Sequence, residues 1–330
     1  MTRRIRTYAE TGTAGGGDIL AQVEAQGARV AQRLAAVRYV VAIASGKGGV
    51  GKSLITANLA AALADRGRRV GVLDADLNGP SVATMLGAER TPLAVTADGV
   101  RPAESPAGCR VMSMDLLLAT PDAPVRWREP AMGGFVWQST LETGTLREFI
   151  ADTAWGELDY LLIDLPPGTD RLARLFALVP QPAALLLVTT PSAASVAVVA
   201  RSVTHAREAM PTRVGLVSNM DGYTCSACGS PAPLFRAGAG AALAGETGLP
   251  LWGTVPFDPA LGSDTDAGRP LVVSQPDTPA ARALTAIADT LERIVTAAPA
   301  EVPADSEVAD DSDSVDDGDA ADDVLLRSAR

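Results

Sequence analysis

The chain has 330 residues, 47% of them hydrophobic and only 4% aromatic. This excludes a disulfide-stapled miniprotein and a wholly disordered chain, and it implies a core of Ala, Val, Leu and Ile suited to α/β layers. The net charge is −11, but residues 301–330 hold eleven acidic residues against Arg327 and Arg330, so the rest of the chain carries only −2 and predicts no electrostatic footprint on nucleic acid.

Residues 1–17 are basic and then Gly-rich, without the apolar core of a secretory signal. A helix is predicted over Gly17–Val37, completing an N-terminal extension of residues 1–37. From residue 38 the pattern changes. Tyr39–Ala44 reads as an apolar strand, Ser53–Arg66 as a helix and Arg69–Leu73 as a second strand, a right-handed βαβ unit. Further strands are predicted at Arg110–Met114, Tyr160–Ile163, Ala184–Val188, Val214–Val217 and Leu251–Val255. Helices are predicted at Thr145–Ala151, Ser192–Met210 and Thr278–Ala297. Continuous apolar strands alternating with helices predict a doubly wound, mostly parallel α/β sheet over residues 38–298. Leu175–Ala200 holds no charged residue, but Pro180, Pro182 and Pro191 interrupt it. It reads as a buried strand leading into a helix, so no membrane association is expected. Residues 299–330 are too polar to offset their ordering entropy and are expected to form an acidic disordered tail.

Between the first strand and its helix, Gly46-Lys47-Gly48-Gly49-Val50-Gly51-Lys52-Ser53 fits G-x-x-x-x-G-K-[ST]. Glycines let successive backbone N–H groups face a phosphate, and the helix N-terminus adds its dipole. Lys52 is the expected partner of the β/γ-phosphates of ATP and Ser53 a ligand of Mg²⁺. Asp74 and Asp76 end the second strand, and Asp164 follows Tyr160–Ile163. Carboxylates at the C-terminal edge of a parallel sheet face the ligand crevice. Asp76 is expected to orient the attacking water, and Asp74 and Asp164 to support the cation. Gly168 of DLPPG can move with the γ-phosphate.

Lys47 makes the loop a deviant Walker A motif. With it the chain resembles the P-loop ATPases that include the septum-site and partition (MinD/ParA-like) proteins. DADLNGPS (74–81) and WGELDYLLIDLPPGT (155–169) resemble the two switches of the Mrp-type (ApbC-like) iron–sulfur cluster carriers, although Asp170-Arg171 stands where that family has Gly-Asp. The resemblance covers roughly residues 38–295. It implies a Mg-dependent ATPase acting as a homodimer, with Lys47 reaching the partner chain's ATP. It also implies that Asn219 contacts the adenine edge and that Pro256 lies near the same pocket.

The three cysteines are Cys109, Cys225 and Cys228, an odd count with one close pair, which favours a reducing, cytoplasmic compartment. From the residues alone Cys225 and Cys228 are open to four readings: a cluster site, half of a zinc site, a redox dithiol, or two incidental thiols. Two chains would supply four thiolates across a two-fold axis. The flanks, Asn219-Met220 before and Leu234-Phe235 after, resemble the Mrp-type cysteine loop, with Ser226 where the family has proline. That resemblance implies a bridging [4Fe-4S] cluster, handed to apo iron–sulfur proteins or exchanged with assembly scaffolds. Cys109 reads as a packing residue. The alternative function is a partition or positioning ATPase. An electron-transfer iron protein, whose ligands are two distant cysteines per chain, is a further rival.

Overall fold

The VRYVVAIA run of Val37–Ala44 is buried along nearly its whole length and forms the strand around which the domain is laid. The computed structural model describes residues 16–118, 120, 135–168, 170–179, 181–192, 213–224, 228, 230–235 and 238–297. The chain divides into a unit Met1–Ala298 and a second unit Pro299–Arg330, and the second lies outside the described residues. So do Cys225, Ser226, residues 1–15 and, from residue 193 on, the helix expected at Ser192–Met210.

In chain order the elements begin with helix α1 (Gly16–Leu34), β1 (Val37–Ala44), α2 (Lys52–Asp65), β2 (Val70–Asp74), α3 (Val82–Met85), β3 (Val95–Thr96) and β4 (Gly99–Val100). They continue with β5 (Ala103–Glu104), β6 (Arg110–Met112), a 3-10 turn at Met114–Leu117, α4 (Phe135–Asp152), β7 (Leu158–Asp164) and α5 (Asp170–Leu178). The remainder are β8 (Ala184–Thr189), β9 (Val214–Thr224), β10 (Pro231–Ala232), α6 (Ala239–Thr247), β11 (Leu251–Phe257), α7 (Pro259–Asp266), α8 (Leu271–Ser274) and α9 (Pro279–Thr296).

Among the described residues the main sheet has nine strands, in the order β10-β9-β8-β1-β7-β2-β6-β5, with β11 also paired to β9. The pairs from β11 through β9, β8, β1, β7, β2 and β6 are parallel, and only the edge pairs β5–β6 and β9–β10 are antiparallel. Side chains of β1 alternate between two cores, as the period of a strand requires. Val41 and Ile43 join α2 and α9, whereas Val40, Ala42 and Ala44 join α1, α4 and α5. This is the doubly wound α/β class that the strand–helix rhythm predicts.

Several boundaries differ from expectation. The strand expected at Arg110–Met114 stops at Met112, because Ser113 caps the 3-10 turn with its side chain accepting from Asp115 N. The helix expected at Thr145–Ala151 is the last part of the longer α4. The strand expected at Val214–Val217 runs on to Thr224, through residues whose polar sequence reads as a loop. Among the described helices, none is long and apolar enough to cross a membrane.

Candidate nucleotide-binding site

Strand order brings the site together. β7 lies between β1 and β2, and its last residue, Asp164, is in register with both Ile43 and Asp74. The loop leaving β1 and the carboxylates ending β2 and β7 therefore meet at one edge of the sheet. A parallel sheet places its ligand crevice at that edge.

The loop has the shape its glycines allow. Gly49 and Gly51 hold φ of 76° and 82°, the left-handed region. A Cβ on Gly51 would lie 2.3 Å from Asn219 Nδ2. Gly51 is also the N-cap residue of α2 and provides no side-chain cap, so the first N–H groups of this 14-residue helix remain for an anion. A Cβ on Gly48 would meet nothing closer than Pro167 at 3.9 Å, which leaves the mouth of the cradle open.

Behind the loop is a dense ionic cluster. Lys52, 6% exposed, places Nζ 2.5 Å from Asp164 Oδ2. Ser53 Oγ donates to the same oxygen at 2.6 Å, and Thr56 Oγ1 donates to Oδ1 at 2.6 Å. Thr56 reaches the same carboxylate as Lys52 and Ser53 because it lies i+4 from one and i+3 from the other, spacings that share a helix face.

Asp74 is fully buried and organises the loop that follows it. Its Oδ1 accepts from Asp76 N, and its Oδ2 from Ser81 N, Val82 N and Ser113 Oγ. Burial, and then the neighbouring Asp164 carboxylate, push its pKa up to about 7 against the opposing N–H groups and Lys52. Two carboxylates side by side with a serine hydroxyl form the hard-oxygen donor set of a divalent cation, and such an ion would relieve their repulsion. Ser53, Asp74 and Asp164 fit Mg²⁺ on that ground. Asp76 is half-buried, with Oδ1 accepting from Gly79 N.

Lys47 Nζ lies 3.2 Å from Ser192 Oγ. Asn219 sits beneath the loop. Its Nδ2 donates to Val50 O at 2.8 Å, while its buried Oδ1 has no hydrogen-bond partner among the described residues. An orphaned acceptor against a phosphate loop is the kind of group a nucleotide's donor would satisfy. The next residue, Met220, holds φ 59° and begins a bulge where β9 advances from Asn219 to Tyr223 while β11 advances from Val255 to Phe257. Pro256 falls opposite that bulge, where a strand tolerates the missing N–H. β9 then continues to Thr224, which pairs with Pro231 of the antiparallel β10. Cys228 is exposed, and Leu234, Phe235 and Phe257 are exposed large apolar residues. Cys109 is wholly buried, and burial pushes its thiol up to about 11, the behaviour of a packing residue.

Residues 36–292 match the family model of the NUBPL iron-transfer P-loop NTPases, a ParA-type family. The chain belongs to that family. An iron-sulfur cluster carrier protein of Saccharolobus solfataricus is 38% identical over 275 residues, which is 83% of this chain and 90% of that protein. The human cytosolic Fe-S cluster assembly factor NUBP2 is 41% identical over 275 residues, 82% of this chain and 97% of its own length. A nucleotide-binding protein from Archaeoglobus fulgidus, solved in complex with ADP, superposes with a TM-score of 0.63 at 35% identity, covering 77% of this chain and 94% of that one.

For this NTPase the structure brings Lys52, Ser53, Asp74 and Asp164 together and sets Asn219 against the loop. Pattern reading missed Thr56 and Ser113. Thr56 carried a usable signal, since it lies one helical turn from Lys52 on a helix whose start was known. Ser113 reaches Asp74 because β6 lies beside β2, which no local pattern reveals.

Proposed function

We propose that this chain is a cytoplasmic, Mg-dependent ATPase of the Mrp-type branch that binds a [4Fe-4S] cluster as cargo between two copies of itself and delivers it to apo iron–sulfur proteins. The observation that carries this reading is the path of β9. One strand lays Asn219 beneath the phosphate loop and ends at Thr224, the residue before Cys225 in the sequence. The nucleotide loop and the residues leading to Cys225 therefore share one strand, bent at its bulge.

In the proposed reaction the loop N–H groups and Lys52 bind the phosphates of ATP. Ser53, Asp74 and Asp164 would hold Mg²⁺, whose charge would offset that of the phosphates. Asp76 orients water, and Lys47 is offered across the dimer to the partner's nucleotide. Cys225 and Cys228 give two thiolates per chain, which matches a four-thiolate cluster only when two chains meet. The exposed Leu234, Phe235 and Phe257 provide apolar surface for that meeting. Nothing in this reading calls for nucleic acid or a membrane. The partition-ATPase alternative accounts for the nucleotide loop but gives Cys225 and Cys228 no task.

The experiment is cluster transfer. Reconstituted protein is mixed anaerobically with an apoenzyme that needs a [4Fe-4S] cluster, in the presence of an iron chelator. Recovery of the acceptor's activity that changes on adding Mg·ATP supports the proposal. A chain that hydrolyses ATP but activates no acceptor returns it to the positioning class.

A further inference from the structure

We propose that Glu142 is a positioning residue for the hydrolysis read at this site, locking the Asp76 loop to the helix that follows the Asp164 segment. This rests on the ATPase reading above. Glu142 lies on α4, outside both switch segments, and is 9% exposed. One carboxylate oxygen, Oε1, accepts from Asn78 Nδ2 at 2.8 Å. The other, Oε2, lies 3.4 Å from the Arg174 guanidinium. Asn78 stands in the loop between Asp76 and Ser81, and Arg174 stands on α5, directly after Asp164–Gly168. One buried carboxylate thus takes one donor from the first switch and one from the helix that follows the second.

The arrangement around it is a joint rather than a ligand pocket. Ala75, Leu77, Leu165 and Pro166 line a cleft of about 30 Å³, room for a water and little more. Asp74 already fixes both ends of the loop through Asp76 N, Ser81 N and Val82 N. Asn78 lies between those ends, so Glu142 ties down the span that carries Asp76. A carboxylate is needed because it accepts on both oxygens. A glutamine would turn an amide N–H₂ toward one of two donors. Movement of the Asp164–Gly168 segment is then passed through Arg174 and Glu142 to the residue that orients water.

The test compares Glu142→Gln, Asn78→Ala and the double variant with wild type. Asn78 is exposed, so its replacement leaves the fold intact even where the buried change does not. Each single variant should lower kcat by about tenfold to a hundredfold, the range for a small misplacement of a reacting group, with KM for ATP within about twofold. The double variant should be no slower than the worse single one. Hydrogen exchange supplies a second readout. A non-hydrolysable ATP analogue should protect residues 164–168 in all four proteins, and residues 76–81 only in wild type. Variants matching an active wild type, a rise in KM alone, or multiplying losses in the double variant would overturn this inference and leave the ATPase reading standing. A wild-type chain without turnover would sink both.

Discussion

Lys52 Nζ lies 2.5 Å from Asp164 Oδ2, with both side chains buried. The ammonium expected on the phosphates and the carboxylate expected on the cation hold one another. A bound phosphate would have to compete with Asp164 for Lys52, and a cation would take up the freed carboxylate. Removing one partner of a buried pair leaves an unpaired charge, at a cost of about 3–5 kcal/mol, whereas removing both costs far less. Asp164→Asn should therefore lower the melting temperature by roughly 6–20 °C at about 2–4 °C per kcal/mol. Lys52→Met in the same chain should restore much of that loss. Lys52→Ala alone should cut ATP turnover by about a hundredfold or more. Calorimetry and phosphate release check these outcomes. Additive destabilisation in the double variant would show that the pair is not coupled.

Lys47 and Asp76 test the dimer. If Lys47 serves the partner's nucleotide, Lys47→Ala and Asp76→Ala proteins should each be slow. Mixing them should recover activity, because one arrangement in the heterodimer has an intact Asp76 facing an intact Lys47. Verified heterodimers that recover nothing would remove the support for action in trans.

Asp74 sets a pH dependence. Its folded pKa of about 7 lies above the ordinary carboxylate value of about 4, so between those values the folded chain holds a proton that the unfolded chain has released. Its contribution to stability is therefore fully present below pH 4 and is lost as pH rises through 7. Mg²⁺ competes with the same proton, so the affinity for Mg·ADP should rise by about tenfold from pH 6 to pH 8. Titration calorimetry on wild type and Asp74→Asn cancels the nucleotide's own ionisation. Equal pH slopes in the two proteins would take Asp74 out of the cation's shell.

Gly51 has no tolerant substitute. A Cβ there meets Asn219 Nδ2 at 2.3 Å, and the residue holds φ 82°. Gly51→Ala should weaken nucleotide binding at least tenfold with strands and helices intact, as circular dichroism and fluorescent-nucleotide titration would show. Asn219→Ala in the same chain should recover part of it, since the contact goes while the left-handed strain of about 1–2 kcal/mol stays. Undiminished binding by Gly51→Ala would mean that the loop repacks freely.

What the sequence discloses follows from how local each feature is. The phosphate loop and Asp164 are legible because a strand, a turn and a helix in immediate succession determine them. Glu142 and Ser113 are not, because their partners depend on where α4 packs and on β6 lying beside β2. The first part of α4 is hidden by Gly144, which weakens a helix pattern by about 1 kcal/mol yet is tolerated here. The far end of β9 is hidden by its bulge. Met220 in the left-handed region and Gly222 break the two-residue period, so a continuous strand reads as a loop.

Iron and sulfide counted after anaerobic reconstitution test the cluster proposal most directly. Wild type and the Cys225→Ala, Cys228→Ala and Cys109→Ala variants are compared, with oligomeric state measured on the same samples. The expected result is four irons and four sulfides per dimer for wild type and Cys109→Ala, with none held stably by the other two, since a dimer left with two thiolates cannot complete a four-thiolate site. Nucleotide binding should be unchanged in all four. A wild-type chain that stays monomeric and takes up no cluster, a Cys225→Ala dimer that keeps a full one, or a Cys109→Ala dimer that loses it would contradict the bridging assignment.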